Sequence, residues 1–412
     1  MALVRSPLHP LAAALLLAIG DAAASGLIVV NAGGDAHIPG RCTLREAIEA
    51  ANTHATPAGS DCTPGASGGN VIAIPPSVSP IELTGGALVV ADAGGETRIQ
   101  SAVSGTLVAV RRVSGSGSVF TAVQPVLFEE LAISGGHGDM DGGGIAGGST
   151  TVTLRRCRVH DNTSQYFSGG VTIGPGGLLV VVDSTIAGNH SSEYGNGGGI
   201  GVNGGSLVLA GSTVSGNSSP LGGGIFAWKG TLALHNSTVS GNSAEQGGGI
   251  GVYAPLSFEL NHVTIAGNAA PQGAGMRLYS RPAQGSTILA QNSLFAANTG
   301  SPDIEHLGGA GDTLDGGHNL VGEFGGEVAI PPDTLRCDPQ LRPLADNGGT
   351  TRTHALAPGS CAIDAGGTLT FFDHDQRGAG HPRRVGPVVD IGAYEHDPDA
   401  VENDRVFADG YD

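Results

Sequence analysis

The stretch Ser-Thr-Val-Ser-Gly-Asn at residues 212–217, followed by Gly-Gly-Gly-Ile at residues 222–225, decides the fold of this chain. Both signals recur along the sequence and alternate without losing phase, so each unit of about 26 residues contains one of each. Before the first signal, apolar residues occupy every second position, as Leu207 and Leu209 do. Such alternation is typical of a half-buried strand. Each unit therefore predicts two β segments and their turns.

The spacing of the glycine signal is nearly constant. Counting looser copies, the hydrophobic residues that close it are Ile145, Val171, Ile200, Ile225, Ile250 and Met276. No helix-length periodic stretch interrupts them, and a propeller blade needs around 40 residues or more. The predicted fold is therefore all-β, a continuous parallel β-helix. The usual hand of parallel crossovers makes the coil right-handed.

The asparagines that close the other signal should stack rung upon rung, about 4.8 Å apart. They are Asn162, Asn189, Asn217, Asn242, Asn268 and Asn298. We expect their amides to bond to one another and to tolerate the left-handed backbone of the turn. The glycine triplets are expected to permit a sharp corner where β-carbons would clash.

The N-terminal segment has the pattern of a secretory signal peptide. Residues 1–24 combine Arg5, an apolar run too short to span a bilayer and a closing run of small alanines. Further on, Thr43 and Glu46 form a capping box ahead of an apolar stripe from Leu44 to Ala51. We expect a helix over 43–52 that covers the open end of the coil, since unpaired strand edges need a cover.

The five cysteines fit the oxidising compartment that export implies. Cys42 and Cys62 lie close together near the start, and Cys337 and Cys361 lie close together near the end. We expect each pair to form a disulfide. Cys157 falls in the strand register and is expected to be a free thiol in the wall of the coil.

Two long motifs resemble known bacterial families. Residues 41–52, Arg-Cys-Thr-Leu-Arg-Glu-Ala-Ile-Glu-Ala-Ala-Asn, resemble the CSLREA motif that opens many secreted β-helix proteins, with Thr43 where serine is usual. Motifs from Gly317 to Ala393, including Asp-Asn-Gly-Gly-Thr at 346–350, resemble the choice-of-anchor Q domain. The middle repeats are similar to polymorphic outer-membrane-protein repeats. These resemblances imply a bacterial protein that is secreted or held at the cell surface, and they imply no reaction.

The expected domain organisation follows from these motifs. It comprises a signal peptide (1–24), an N-terminal cap (25–70), the β-helix repeats (71–300), a choice-of-anchor Q-like region (301–398) and a C-terminal tail (399–412). Within the last region, Asp364, Asp375, Arg377 and Asp390 are interpreted as a structural network of ion pairs and turns, with calcium as the alternative.

Charge and hydropathy limit the partners. The formal net charge is −18 and there is one lysine, Lys229, so no basic stripe is available for nucleic acid or anionic lipid. No later stretch approaches 18 consecutive apolar residues, which predicts no transmembrane helix in the mature protein. We expect a monomer whose partner is an extracellular glycan or a cell-surface molecule.

No catalytic residues can be assigned. The serial motifs of polygalacturonases are absent apart from Gly-His-Gly at 136–138, so a non-catalytic binding or adhesion protein is favoured. The alternative is a polysaccharide lyase or glycoside hydrolase of the pectate-lyase-like β-helix type. No cofactor is expected, except that calcium could bind acidic turn residues of neighbouring rungs, which otherwise are solvated turns. These residues are Asp139, Asp141, Asp161 and Glu193.

Three aromatic residues share one register, three positions beyond the hydrophobe of each glycine signal. They are Trp228, Tyr253 and Tyr279, and strand alternation turns them outward. Stacked on adjacent rungs, they would form a strip about 10 Å long. Flat rings at this spacing suit successive sugar units, and Arg277 could hold an acidic one. The alternative is that the rings only stabilise neighbouring strands.

Overall fold

The alternating apolar residues of each repeat form short parallel strands that coil into a parallel β-solenoid, and the described part of the chain contains one short α-helix. The structure is a computed structural model that describes residues 26–140, 142–192, 194–280, 287–308, 312–326, 328–368, 370 and 372–399. The expected signal peptide and two of the proposed calcium residues, Asp141 and Glu193, lie outside these ranges. The all-β solenoid predicted from the repeats is confirmed.

Three long faces enclose the core. The first face consists of Gly26–Val29, Asn70–Ile74, Thr97–Ser101, Val126–Glu129, Thr151–Arg155, Leu178–Val182, Ser206–Ala210, Thr287–Gln291 and Thr313–Gly317. The second face consists of Ile81–Leu83, Val108–Arg112, Leu131–Ser134, Arg158–His160, Thr185–Ala187, Thr213–Ser215, Leu294–Ala296 and Leu320–Val321. Two long strands, Thr231–Ser240 and Ser257–Ala266, run through both faces and join them into one sheet.

The third face is a separate ten-stranded parallel sheet. Its strands are Leu88–Val90, Phe120–Ala122, Ile145–Gly147, Val171–Ile173, Ile200–Asn203, Ile225–Trp228, Ile250–Tyr253, Met276–Tyr279, Ile304–Leu307 and Phe324–Gly325. Short strands His137–Gly138, Thr163–Ser164 and His190–Ser191 line the turn between the second and third faces. A 3-10 turn at Pro76–Val78 and an antiparallel pair, Leu341–Ala345 with Thr353–Leu356, complete the elements of the described chain.

The asparagine ladder is present, and its members from Asn162 to Asn268 are buried. The Asn217 Nδ2 donates to Asn242 Oδ1 at 2.9 Å, and its own Oδ1 accepts from both Nδ2 and the backbone N–H of Asn189. The ladder runs from Asn162 to Asn298 and ends on the Asp303 carboxylate. The left-handed residue of this turn was expected to be the asparagine, which is wrong: the residue before it takes this conformation. That residue is a glycine before Asn189, Asn217, Asn242 and Asn268, and it is Asp161 or Ala297 at the two ends of the ladder. Because glycine adopts positive φ without strain, the asparagines of the inner rungs are free to bond along the stack.

The glycine triplets act as expected. In the triplet before Ile225, the first glycine, Gly222, has a φ of +63°, which favours glycine. A β-carbon on the second, Gly223, would lie 2.4 Å from carbonyl oxygens of the next rung. The corner is therefore closed by direct backbone contact, which any side chain would prevent.

The N-terminal end is closed by the predicted helix. It spans Leu44–Thr53, and Thr43 and Glu46 form the capping box in both directions. The Cys42–Cys62 disulfide joins the start of the helix to the loop that follows it. Within the part of the chain that the structure describes, no helix is long and apolar enough to span a membrane.

Parallel pairing continues past residue 300, through Ile304–Leu307 to Phe324–Gly325, so the boundary expected there falls within the coil. The chain then turns back and lies along the corner between the first and second faces. This segment, residues 337–396, is called the C-terminal cover below. It contains the Cys337–Cys361 disulfide, which was also predicted.

Candidate functional site

The third face carries two rows of outward side chains. Register pairing aligns Asn203, Trp228, Tyr253, Tyr279 and Leu307 in one row. The inward residues of the same strands are buried, whereas Trp228 and Tyr279 are 41% and 42% exposed. The strand alternation deduced from the sequence thus places the three aromatic residues, which we call the aromatic strip, on an open surface.

Two rings of the aromatic strip are in contact along the coil. The centroids of Tyr253 and Tyr279 are 5.7 Å apart, within the range of an interacting aromatic pair. The ammonium of Lys229 lies 4.7 Å from the centre of the Trp228 ring. The Tyr253 hydroxyl donates to Gln246 Oε1 at 2.7 Å, and partial burial raises the pKa of this phenol. Tyr253 is therefore held in place, while the two outer rings remain accessible.

A fourth aromatic residue, Phe226, belongs to this surface and was not predicted from the sequence. Its ring centroid lies 5.5 Å from that of Tyr253, on the neighbouring outward row. The signal was available, because Phe226 lies two residues before Trp228 and alternation turns both outward. It was overlooked because the aligned positions of the next two rungs are Gly251 and Arg277.

Arg277 is already paired within the face. Its Nε lies 2.8 Å from Glu305 Oε2, and its guanidinium also contacts Gln246 Oε1. The Nε–H does not point at the Glu305 oxygen, so the contact is an ion pair rather than an aligned hydrogen bond. Because the carboxylate balances its charge, Arg277 offers little net attraction to an acidic sugar.

A pocket of about 130 Å³ opens beside the aromatic strip. Trp228 and Phe226 form one side of it. The other lining residues are Phe167, Ser168, Thr172, Asn196, Gly201, Val202 and Asn203. A β-carbon on Gly201 would lie 2.0 Å from the Ser168 hydroxyl, so a side chain at this position would displace that hydroxyl.

Some polar groups around the pocket already form hydrogen bonds within the protein, and others do not. The Ser168 hydroxyl donates to the Asn196 carbonyl at 3.1 Å, and the Thr172 hydroxyl accepts from the Ser168 backbone at 3.3 Å. Among the described residues, none forms a hydrogen bond with the side-chain amide of Asn196 or Asn203. Two amide groups are thus available at the pocket to a ligand.

Two exposed tyrosines lie on the loops that lead into this face. Tyr166 and Tyr194 stack with centroids 5.9 Å apart, and each lies within two residues of a pocket residue. The sequence did not single them out, because these loops vary in length between repeats and break the alignment.

Two of the proposed calcium residues can be placed. The Asp161 carboxylate contacts the His160 ring at 2.6 Å, and the Asp139 carbonyl accepts from the Tyr166 backbone. Within the ranges that the structure describes, no three His, Cys, Asp or Glu side chains are grouped so that they could hold a metal ion. The calcium hypothesis, which also involves Asp141 and Glu193, stays a prediction.

Cys157 is a free, buried thiol, as predicted. Burial raises the pKa of this thiol to about 12, so it is not a nucleophile at neutral pH. Its backbone N–H donates to the Ser184 hydroxyl, which begins a second ladder continued by Ser212 and Ser237. Cys157 is thus the first member of a structural stack.

The acidic motifs of the C-terminal cover form a buried network. The Nε–H, Nη2–H and backbone N–H of Arg377 all donate to the Asp375 carboxylate, and the guanidinium lies 3.9 Å from the centre of the Tyr394 ring. Arg383 and Glu395, which sequence reasoning missed, form a second buried ion pair at 2.8 Å. Burial, and then the nearby Glu395 carboxylate, raise the pKa of Asp390 to about 7.

One family model supports the fold. Residues 85–270 match the family model for a right-handed β-helix region, which agrees with the predicted hand of the coil. A crystal structure of pectate lyase Pel9A aligns with a TM-score of 0.47 and 13% sequence identity, over 91% of this chain and 97% of that one. No curated protein matches this chain in sequence.

Proposed function

We propose that the protein binds an extended glycan chain along the third face, with the aromatic strip as its platform. The observation that carries the proposal is the placement of Trp228, Tyr253 and Tyr279 in one register on successive rungs, with the two outer rings exposed. Rungs repeat about every 4.8 Å. This spacing is close to the length of one pyranose unit in an extended β-linked chain, so each ring can meet the apolar face of one sugar.

The electrostatics favour a neutral glycan. The chain has a net charge of −18, which repels polyanions at moderate ionic strength. The nearest arginine, Arg277, is balanced by Glu305. The lysine beside Trp228 is the remaining cation of the aromatic strip, and a sugar that stacks on that side of the ring displaces it.

The proposed activity is binding without turnover. The described part of the third face presents aromatic rings, amides and a compensated ion pair, and these groups supply contact and orientation to a sugar chain. General acid–base catalysis would require a titratable group poised next to the bound substrate. A lyase or hydrolase is the competing function, and it is distinguished by its products.

The test is a binding panel of neutral and acidic polysaccharides, with and without calcium. We expect saturable binding to neutral chains, reduced about tenfold or more when both Trp228→Ala and Tyr253→Ala are introduced, as expected for two lost stacking contacts. Leu307→Ala is the matched control, because Leu307 is an exposed apolar residue of the same row without a ring. Absence of binding to every polysaccharide would refute the proposal. Accumulation of unsaturated or shortened product would replace it with catalysis.

A further inference from the structure

The pocket beside the aromatic strip has a composition that an extended stacking platform does not need. Phe226 and Trp228 form one apolar wall, and Phe167 approaches from the preceding loop. Thr172, Asn196 and Asn203 add polar groups among these rings. A flat platform would bind sugar rings without such a recess, so the pocket must receive a group that projects from the chain.

The size of the pocket limits what can enter. Its volume is about 130 Å³, whereas a cavity of about 150 Å³ holds a benzene molecule. A complete pyranose with its hydroxyl groups is considerably larger than benzene. A small substituent of a sugar fits entirely within the pocket, whereas a whole sugar ring would project from it.

The polar groups of the pocket match an amide. The side chains of Asn196 and Asn203 each offer one carbonyl acceptor and two N–H donors, and no described residue uses them. An acetamido group presents one N–H donor, one carbonyl acceptor and a methyl group. Its polar atoms can pair with the two asparagines while its methyl group contacts the rings of Phe226 and Trp228. A hydroxymethyl group would pair with the asparagines but leave the aromatic wall unfilled.

We propose that the pocket binds the N-acetyl substituent of an amino sugar, so that the glycan of the third face is a neutral, N-acetylated chain. This inference rests on the proposed function and narrows its ligand class. The aromatic strip supplies affinity for the chain, and the pocket supplies the preference for acetylated units.

The experiment compares three oligosaccharides of equal length and β-1,4 linkage by titration calorimetry: oligomers of N-acetylglucosamine, of glucosamine and of glucose. We expect the acetylated oligomer to bind at least tenfold more tightly than the glucose oligomer, because glucose lacks the group that fills the pocket. The glucosamine oligomer lacks the acetyl group but its cationic amines are attracted to a chain with a net charge of −18, so it is compared at high ionic strength, where it should bind no better than glucose.

Two variants test whether the pocket is the source of the preference for the acetylated oligomer. Asn203→Leu keeps the branched shape and the number of heavy atoms of the side chain but removes its amide, and it should bring the ratio of the two affinities close to one. Tyr279→Ala should weaken both oligomers by the same factor and leave the ratio unchanged, since Tyr279 does not line the pocket. Thermal melts of both variants show whether they are folded.

Each outcome separates the two proposals. Equal affinity for the acetylated and glucose oligomers would overturn the inference and leave glycan binding intact. Equal affinity for the acetylated and glucosamine oligomers would show that charge or nitrogen, and not the acetyl group, is recognised, and would also overturn it. If no oligomer binds and no polysaccharide of the panel binds, both proposals fail.

Discussion

The second and third faces are built from the same repeats, yet one is covered and the other is open. At the corner of the second face, the Gln376 side chain inserts between Thr238, which donates to its carbonyl at 2.6 Å, and Thr213, which accepts from its amide. His354 of the C-terminal cover meets Ser240 on the same face at 2.8 Å. On the third face, the outward row contains the exposed rings of Trp228 and Tyr279.

This difference shows that an outward residue of a solenoid can have either a structural role or a role in binding. Outward Thr213, Thr238, Thr264 and Ser240 of the second face bond to the C-terminal cover, so their role is structural. Outward aromatic and amide groups of the third face meet no other part of the described chain that covers them in the same way, which makes them the better candidates for ligand binding.

The largest expected effect concerns the ion pair that holds the C-terminal cover. Arg383→Ala would leave the Glu395 carboxylate buried without its partner, and it removes a contact with Asn236 of the coil. We expect the free energy of unfolding to fall by about 3–5 kcal/mol, as for other broken buried pairs. Chemical denaturation measures this. Arg384→Ala is the control, because Arg384 is exposed, and an equal loss in both variants would contradict the structural role of the pair.

A second prediction compares an inward asparagine with an outward one. Asn217→Ala removes the acceptor of two buried N–H groups of Asn189, so we expect a loss of about 3 kcal/mol. Asn203→Ala should change stability by less than about 0.5 kcal/mol, because its side chain is outward and uncommitted. Similar losses at both positions, measured by denaturant unfolding, would refute the assignment of Asn217 to the core and of Asn203 to the ligand-binding surface.

A third prediction uses pH to loosen the covered face. His235 is 2% exposed beneath Phe372, and burial lowers its pKa to about 4, so it is neutral in the folded protein. The unfolded chain takes up a proton near pH 6.5, so this contribution to stability is present above that pH and declines as the pH falls toward 4. Between pH 7.5 and 5, we expect it to decrease by about 2 kcal/mol.

The variant His235→Leu isolates this contribution. Over the same pH range, the stability of His235→Leu should fall by about 2 kcal/mol less than that of the parent. Thermal or denaturant unfolding measures this difference. The control His190→Leu alters an exposed histidine and should keep the parent's pH dependence. Parallel pH profiles for the parent and His235→Leu would show that His235 is not buried under the C-terminal cover.

The smallest expected effect on stability concerns the third face. Tyr279→Ala removes one exposed ring and its contact with Tyr253, which contributes about 0.5–1.5 kcal/mol to stability if the pair is purely structural. We expect a loss near the lower limit, together with a clear loss of glycan affinity. A loss of stability with unchanged glycan binding would support the alternative that the rings only stabilise neighbouring strands.

Much of the scaffold follows from the sequence because its signals are local and repeated. The phase of the two motifs places Trp228, Tyr253 and Tyr279 in one row, and the same phase places the asparagines in one ladder. The capping box at Thr43 and the proximity of the paired cysteines are also local signals. Each of these predictions is confirmed.

The features that the sequence did not predict depend on distant contacts. Nothing near His235 or Thr238 shows that residues from 351 to 393 fold back over them. The pocket likewise combines two loops of differing length with the strands of three rungs, so Asn196 and Phe167 could not be aligned with Asn203 by periodicity. The burial of Arg383 and Glu395 appears only when the C-terminal cover is in place.

The most direct test of the account uses the fluorescence of Trp228. It is the only tryptophan in the chain and belongs to both the aromatic strip and the pocket, so its emission reports on the proposed site alone. Titration with oligomers of N-acetylglucosamine should change the emission saturably and shield the ring from acrylamide, with a smaller effect in Asn203→Leu. Unchanged emission and unchanged quenching at oligomer concentrations where calorimetry detects binding would place the glycan elsewhere and contradict the assignment of the third face.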